Sequence, residues 1–301
     1  MRINTNTAAM NTYSQLTSAN ASKSGSLAKL SSGLRINKAG DDAAGLAISE
    51  KMKNQVSGMT QATRNAQDGI SLIQTAEGAL SETHSILNRV RDLTVQASND
   101  TNTNDDRLAI QKEITSLSEE VTRIADQTEF NTKTLLNSED NTFKFQIGAN
   151  GNQQIGVTID DMTSAGLGLE TAGATEGDPA VTKLKVSYTE TEIAAATDAE
   201  GVYTDPKTLA FDDVLSTIDG AIKEVSTQRA DLGAVQNRLD HTISNLATTK
   251  ENLSEANSRI TDVDMAEEMM SFTKSNILSQ ASTAMLAQAN QMPQGVLQLL
   301  Q

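Results

Sequence analysis

Between residues 212 and 263, apolar side chains recur at strict seven-residue spacing: Ile218, Val225, Leu232, Leu239, Leu246, Leu253 and Ile260. Three residues further on runs a second row, Ala221, Gln228, Val235, Thr242, Thr249, Ala256 and Val263. This alternation is the seam of a helix packed lengthwise on a partner, and it predicts one helix of about fifty residues. The second row is small or polar, which favours close approach over hydrophobic bulk. Asp212 and Asp213 suit the start of the helix, where free N–H groups favour acidic caps. A matching seam crosses residues 44–99, with Met52, Met59, Ala66, Ile73, Leu80 and Leu87 in the large row. Ala62, Gly69, Ala76, Thr83, Val90 and Ala97 form its small row. Gly58, Gly69 and Gly78 each cost about 1 kcal/mol in a helix relative to Ala, and closer helix–helix contact is the expected return.

A shorter helix is predicted over 105–128 from Ile110, Ile114, Leu117, Val121 and Ile124, with Asn104 or Asp105 as its cap. After it the period falls to two. Phe143, Phe145 and Ile147 alternate with polar residues, Asn150-Gly151 supplies a turn, and Ile155, Val157 and Ile159 alternate again. That pattern predicts a β-hairpin. Leu184, Val186 and Tyr188 form a further candidate strand, and the rest of 161–210 reads as a small, loosely structured surface excursion. The fold class is therefore mainly α: an elongated antiparallel helical bundle with a small β-hairpin region and a short outer insertion.

The two ends differ from the rest. Residues 1–22 carry one charged side chain, Arg2, and residues 269–301 carry one, Lys274. Weak apolar faces run through Ile3, Met10, Tyr13 and Leu16 at one end, and through Phe272, Ile277, Ala281, Met285 and Ala289 at the other. Helices so poor in charge and bulk are marginal alone. The functional reading is that they fold by burial against each other and against neighbouring copies. Composition by itself leaves a pair of frayed termini as an open alternative.

Composition narrows the function. Aromatics are 3% and Trp is absent, which argues against a thick aromatic core. Cys is also absent, which removes thiol catalysis and Cys-based zinc sites. The formal charge is -15 with no compensating basic patch, so nucleic acid is not an expected partner. Residues 137–213 hold 4 basic and 14 acidic side chains, so the acidic excess sits mid-chain, as on a solvated surface. No apolar run suits a membrane span, and the opening MRINTNTAAMNTYSQL lacks that of a secretory signal peptide. Export, if it occurs, is expected by another route.

Residues 30–48, LSSGLRINKAGDDAAGLAI, strongly resemble the N-terminal signature of bacterial flagellins. Phe272-Thr-Lys followed by QASTAMLAQANQMPQ at 280–294 resembles the family's C-terminal signature, and FQIGAN at 145–150 its hairpin motif. In family order, these blocks cover the first 160 residues and roughly the last 90. The short start and brief middle are most similar to compact, Bacillus-type flagellins. The resemblance implies that residues 1–40 and 265–301 form an inner coiled-coil domain lining a filament channel. Residues 41–140 and 211–264 would form the bundle domain, 141–160 its hairpin, and 161–210 a short exposed variable segment.

The same resemblance implies unfolded export through the flagellar type III channel, polymerisation into the flagellar filament, and no cofactor. It makes Ile3, Met10, Leu16, Leu27, Leu34, Phe272, Ile277, Met285 and Leu297 the expected polymerisation residues. The implied partners are copies of the chain, the flagellar cap and hook-associated proteins, and an export chaperone at the C-terminal segment. Toll-like receptor 5 is a further implied partner, through Arg89, Leu93 and Glu113. Asn88 and Leu117 depart there from the enteric pattern, and an exposed charged face used between subunits is the plainer reading of Arg89 and Glu113.

Other constellations are weak. His84 and His241 lie beside the helix seams in no metal-binding spacing, and 161–210 has no histidine. Asp41-Asp42 reads as a helix cap, and Gly40 and Gly45 around it make no phosphate loop because no GK[ST] follows. Asp160-Asp161 reads as polarity at the hairpin end, and the methionines Met265, Met269, Met270 and Met285 as adaptable packing residues. The competing readings are a hook–filament junction protein and, more remotely, a secreted hydrolase using loop carboxylates. Electron microscopy of assembled protein separates the first from a filament subunit.

Overall fold

The computed structural model describes residues 6–138, 141–171, 181–182, 184 and 211–299, with side chains over 6–138, 142–170, 184 and 211–291. Among the described residues five helices dominate: α1 (Thr7–Ser32), α2 (Ala43–Ala97), α3 (Asn104–Gln127), α4 (Phe211–Thr261) and α5 (Met265–Leu299). Three small antiparallel strand pairs lie among the described residues between α3 and α4. They are β1 (Glu129–Phe130) with β2 (Lys133–Thr134), β3 (Asn141–Gln146) with β4 (Gln154–Ile159), and β5 (Glu170–Thr171) with β6 (Val181–Thr182). The chain is thus mainly α with a small β-hairpin region, as the periodicities predict. The candidate strand residues Val186 and Tyr188 lie outside the described residues, as does most of 161–210.

Two compact units form, residues 59–247 and residues 1–58 with 248–301. Residues 59–247 hold the hydrophobic core. Ala66, Ile73, Leu80 and Leu87 of α2 pack with Ile218, Val225, Leu232 and Leu239 of α4 and with Ile110, Ile114 and Val121 of α3. Both predicted large rows are therefore buried here except at Met59, which is half-buried. Arg91–Asp219 at 2.7 Å and Arg229–Glu77 at 3.8 Å set α2 and α4 antiparallel. Gln228, a polar residue in the small row, is 5% exposed because its Nε2 donates to the Thr158 carbonyl of β4 at 2.9 Å. On the α2 side, Asn65 Nδ2 donates to the Gln146 carbonyl at 3.0 Å. The hairpin thus has a polar anchor on each helix, and Ile155, Val157 and Ile159 enter the core.

Several expectations change in this unit. The cap of α3 is Thr103 rather than Asn104 or Asp105, in a reciprocal capping box with Asp106. The buried stripe of α3 includes Ser118 and Ala125 while Leu117 and Ile124 are half-buried, a small rotation from the predicted row. Ser118 Oγ donates to Glu170 at 3.0 Å, and Ser164 Oγ donates to the same carboxylate at 2.8 Å, which offsets burying the two hydroxyls. Residues 162–169, expected in a surface excursion, instead bury Met162, Leu167 and Leu169 in the core.

The β3–β4 connection spans 147–153, closed by an Ile147 N–H to Gln153 carbonyl bond of 2.9 Å. Its left-handed residue is Asn152 at φ 64°, so Asn150-Gly151 is not a two-residue turn. Gly69 does not admit a neighbouring helix. A Cβ there would stand 3.2 Å from the Phe145 ring of the hairpin, whereas at Gly78 it would meet nothing within 4 Å.

In the unit of residues 1–58 and 248–301, α1 and α5 run antiparallel. Asn6 Nδ2 donates to the Ala289 carbonyl at 2.8 Å, Ser279 Oγ to Asn20 at 2.8 Å, and Lys23 Nζ to Asn276 at 2.9 Å. Gly33 ends α1 in the left-handed region at φ 72°, where no Cβ penalty arises. Beyond it, Leu34 bridges Asp262, and the Arg35 N–H donates to the Thr261 carbonyl at 2.6 Å. Asp42 caps α2 as expected, its carboxylate accepting the Gly45 N–H at 2.8 Å. Asp41 has another task. Its carboxylate accepts the N–H groups of Asn37 at 3.1 Å and Lys38 at 2.9 Å, which hold its pKa below the ordinary value.

Candidate functional site

The face between α1 and α5 is built from small residues. Thr12, Leu16, Ala19, Lys23, Ser26 and Leu30 alternate by four and three as the protected positions of α1. Glu268, Phe272, Ser275, Ser279, Ser282, Leu286 and Ala289 do the same on α5. Of these only Ala19, Ser26, Ser275 and Ala289 are fully buried. Small side chains let the two backbones approach, and the polar bonds across the seam fix the register. The gain in buried apolar area is small, so the pair owes little of its stability to a core of its own.

Outside that seam, large apolar side chains stand exposed among small polar ones. Of eleven large hydrophobic side chains exposed among the described residues, ten lie in this unit and only Val95 in the other. Met10 is 63% exposed, Leu27 56%, Ile277 59% and Met285 61%. Met269, Met270, Thr273, Lys274, Ile277 and Leu278 line a shallow open groove on α5. Contiguous apolar exposure of this kind marks an interaction surface. The α4 seam shows the same change, since Leu239 is fully buried while Leu253 and Ile260, in this unit, are only half-buried.

The expected polymerisation residues therefore fall into two groups. Leu16 and Phe272 lie in the seam within the chain, and Leu34 is half-buried at the bridge to Asp262. Met10, Leu27, Ile277 and Met285 are exposed and face no partner within the seam. Ile3 lies outside the described residues, as does the side chain of Leu297. The Ser26 and Ser275 positions that let the helices meet were not singled out from sequence. Their seven-residue relation to Ala19 and Ser282 was the available signal.

The second candidate cluster lies on α2 and α3. Arg89 donates through Nε at 3.1 Å and Nη2 at 2.7 Å to Glu113 Oε1, joining the two helices by an exposed ion pair. Leu93 is 2% exposed inside the core, so only Arg89 and Glu113 of this trio offer atoms at the surface. Nearby, Arg107 closes the α2–α3 turn. Its Nε donates to the Ala97 carbonyl at 3.0 Å, and its guanidinium lies 5.6 Å from the Phe211 ring centroid.

A buried helical bundle in one unit and an under-buried, apolar helix pair in the other define a structural protein completed by association. The comparisons name it more closely. Residues 3–141 match the bacterial flagellin N-terminal helical region, and residues 215–300 match the C-terminal helical region. The chain is 54% identical over 316 residues to a flagellin of Bacillus subtilis, covering 100% of both chains. It is 50% identical to a flagellin of Halalkalibacterium halodurans, again covering 100% of both. A flagellar filament 33 kDa core protein of Treponema phagedenis is 43% identical, with 100% of each chain covered. The chain belongs to the bacterial flagellin family, and it is a structural subunit of the flagellar filament rather than an enzyme. The hook–filament junction and hydrolase readings give way to that assignment.

Proposed function

We propose that this filament subunit leaves the cell unfolded through the flagellar type III channel and polymerises through the free apolar face of α1 and α5. In this reading, residues 1–40 with 265–301 are the assembly domain. Residues 41–140 with 211–264 are the bundle, with 141–160 as its hairpin, and the variable segment of 161–210 begins only after the core residues Met162, Leu167 and Leu169. The carrying observation is the exposure of Met10, Leu27, Ile277 and Met285 beside a seam that buries only small residues fully. The α5 groove is the surface offered to an export chaperone before assembly. Copies of the chain then cover it, and cap and hook-associated proteins do so at the filament ends.

Removing residues 1–20 or 280–301 leaves a helical monomer that does not polymerise. Ile277→Asp and Met285→Asp leave the monomer's helicity intact and abolish long filaments under electron microscopy. Normal filaments from either truncation overturn the reading.

Recognition by Toll-like receptor 5 is the second proposal, supported by the exposure of Arg89 and Glu113. The bond between them is an exposed ion pair, worth only about 0.2–1 kcal/mol to the fold. Arg89→Ala therefore keeps the monomer folded and lowers receptor signalling in a reporter cell. Unchanged signalling with a folded variant removes Arg89 from the proposed contact.

A further inference from the structure

The β3–β4 loop carries the chain's single Asn-Gly pair, Asn150-Gly151. In such a pair the backbone nitrogen of the glycine can attack the side-chain amide carbon of the asparagine. Three conditions favour that step: an exposed Asn side chain held by no hydrogen bond, a glycine N–H not already bonded, and room around the glycine. All three hold here. Asn150 and Gly151 are both exposed, and Asn150 uses only its main chain in hydrogen bonds. The Gly151 N–H is in no hydrogen bond, and a Cβ built on Gly151 would meet nothing within 4 Å.

One further contact activates the nucleophile. Gln146 Nε2 donates to the Asn150 carbonyl at 2.7 Å. That carbonyl and the Gly151 N–H belong to one peptide group, so a donor on the oxygen stabilises the anion formed when the nitrogen loses its proton. The competing sites lack this arrangement. Asn137, which precedes Ser138, has its side-chain amide held by Asp126 Oδ1 at 2.6 Å. Asp68-Gly69 and Asp219-Gly220 lie inside α2 and α4, whose amide protons are committed to the helical ladder.

We propose that Asn150 is a site of spontaneous deamidation, which marks the age of the folded chain with a negative charge on the hairpin loop. Base removes the Gly151 amide proton, and the nitrogen bonds to the Asn150 Cγ. The amide nitrogen leaves as ammonia, giving a five-membered succinimide. Water then adds to one of its two carbonyl carbons and breaks that carbon–nitrogen bond. One opening leaves Asp at position 150, and the other leaves isoaspartate, with the main chain rerouted through the side-chain carbon. Isoaspartate disturbs the loop bonds made by the Asn150 main chain, but the strands on either side tolerate both products because they are anchored through Asn65 and Gln228.

The test is incubation of the full-length protein in mildly alkaline buffer, followed by tryptic mapping of the peptide from Phe145 to Lys183. Isoaspartate is counted by enzymatic methylation of its carboxyl group. Asn150 converts to a mixture of Asp and isoaspartate at least about tenfold faster than Asn137 or Asn152, with a rate that rises with pH. Gly151→Ala slows it by about tenfold or more, since a Cβ hinders the approach of the nitrogen. Asn150→Gln lowers the isoaspartate signal from this peptide to the slow background of Asn152 while circular dichroism shows the fold retained. Conversion at Asn150 no faster than at Asn137, or unaffected by Gly151→Ala, overturns the proposal.

Discussion

Replacing Gly78 and Gly69 of α2 by alanine separates the backbone cost of a helical glycine from its packing role. At Gly78 the new methyl meets nothing within 4 Å. Gly78→Ala therefore gains the full propensity difference, about 0.8–1.0 kcal/mol. At Gly69 it would stand 3.2, 3.2 and 3.3 Å from three carbons of the Phe145 ring, inside the favourable carbon–carbon separation of about 3.5–4.0 Å. The ring is not free to retreat, because its strand neighbour Gln146 is tied to Asn65 and Thr158 of the opposite strand to Gln228. Overpacking typically costs about 1–3 kcal/mol, which cancels or exceeds the propensity gain. Gly69→Ala is thus expected at least about 1 kcal/mol less stable than Gly78→Ala.

Urea unfolding followed by circular dichroism measures both variants. Repeating the pair in a Phe145→Ala background closes a double-mutant cycle. With the ring gone, Gly69→Ala recovers a gain of about 1 kcal/mol relative to its own parent. Equal stabilisation by the two substitutions in the natural background refutes the argument, since it would mean that the hairpin yields freely.

Along α4, Leu239→Ala is expected to cost about 2–5 kcal/mol because Leu239 is fully buried. Leu253→Ala, at a half-buried position of the same seam, costs about 1 kcal/mol in the monomer, and equal losses in urea unfolding refute this contrast. Acid should loosen the start of α3. The Thr103 hydroxyl, and after it the Thr103 N–H, hold the Asp106 carboxyl below its ordinary 3.8. These bonds are complete above that value and are lost as the pH falls through the lowered one. Amide protection at Thr103 should fall over that window, and the fall should be absent in Asp106→Asn; a Thr103 amide insensitive to acid counts against the capping box.

Much of this architecture was legible from periodicity. The seven-residue rows at 44–99 and 212–263 became α2 and α4 within two residues at each end, because a sustained heptad leaves one face to bury and one way to bury it. The hairpin was legible for the same reason, as alternation specifies which face enters a core. Details governed by distant partners were not. Gln228 was legible only as a member of a small or polar row, and its bond to the Thr158 carbonyl depends on the distant hairpin. Leu93, a receptor-contact position only through the family resemblance, points into the core. The short β1–β2 hairpin was missed: its turn places Asn131 and Thr132 at φ 51° and 64°, and a β-branched residue gives little warning of that conformation.

By itself, the sequence determined that the chain is mainly helical, that its ends carry almost no charge, and that signatures at 30–48, 145–150 and 280–294 group it with flagellins. Local periodicity and charge suffice for such conclusions. Only the tertiary structure decided how each apolar face is used. It divided the terminal residues into Leu16 and Phe272, which serve the α1–α5 seam, and Met10, Leu27, Ile277 and Met285, which stay uncovered. The reason is geometric. Two antiparallel helices share only one line of contact, and the register of that line depends on bonds such as Asn6 to Ala289, between residues 283 apart in the chain.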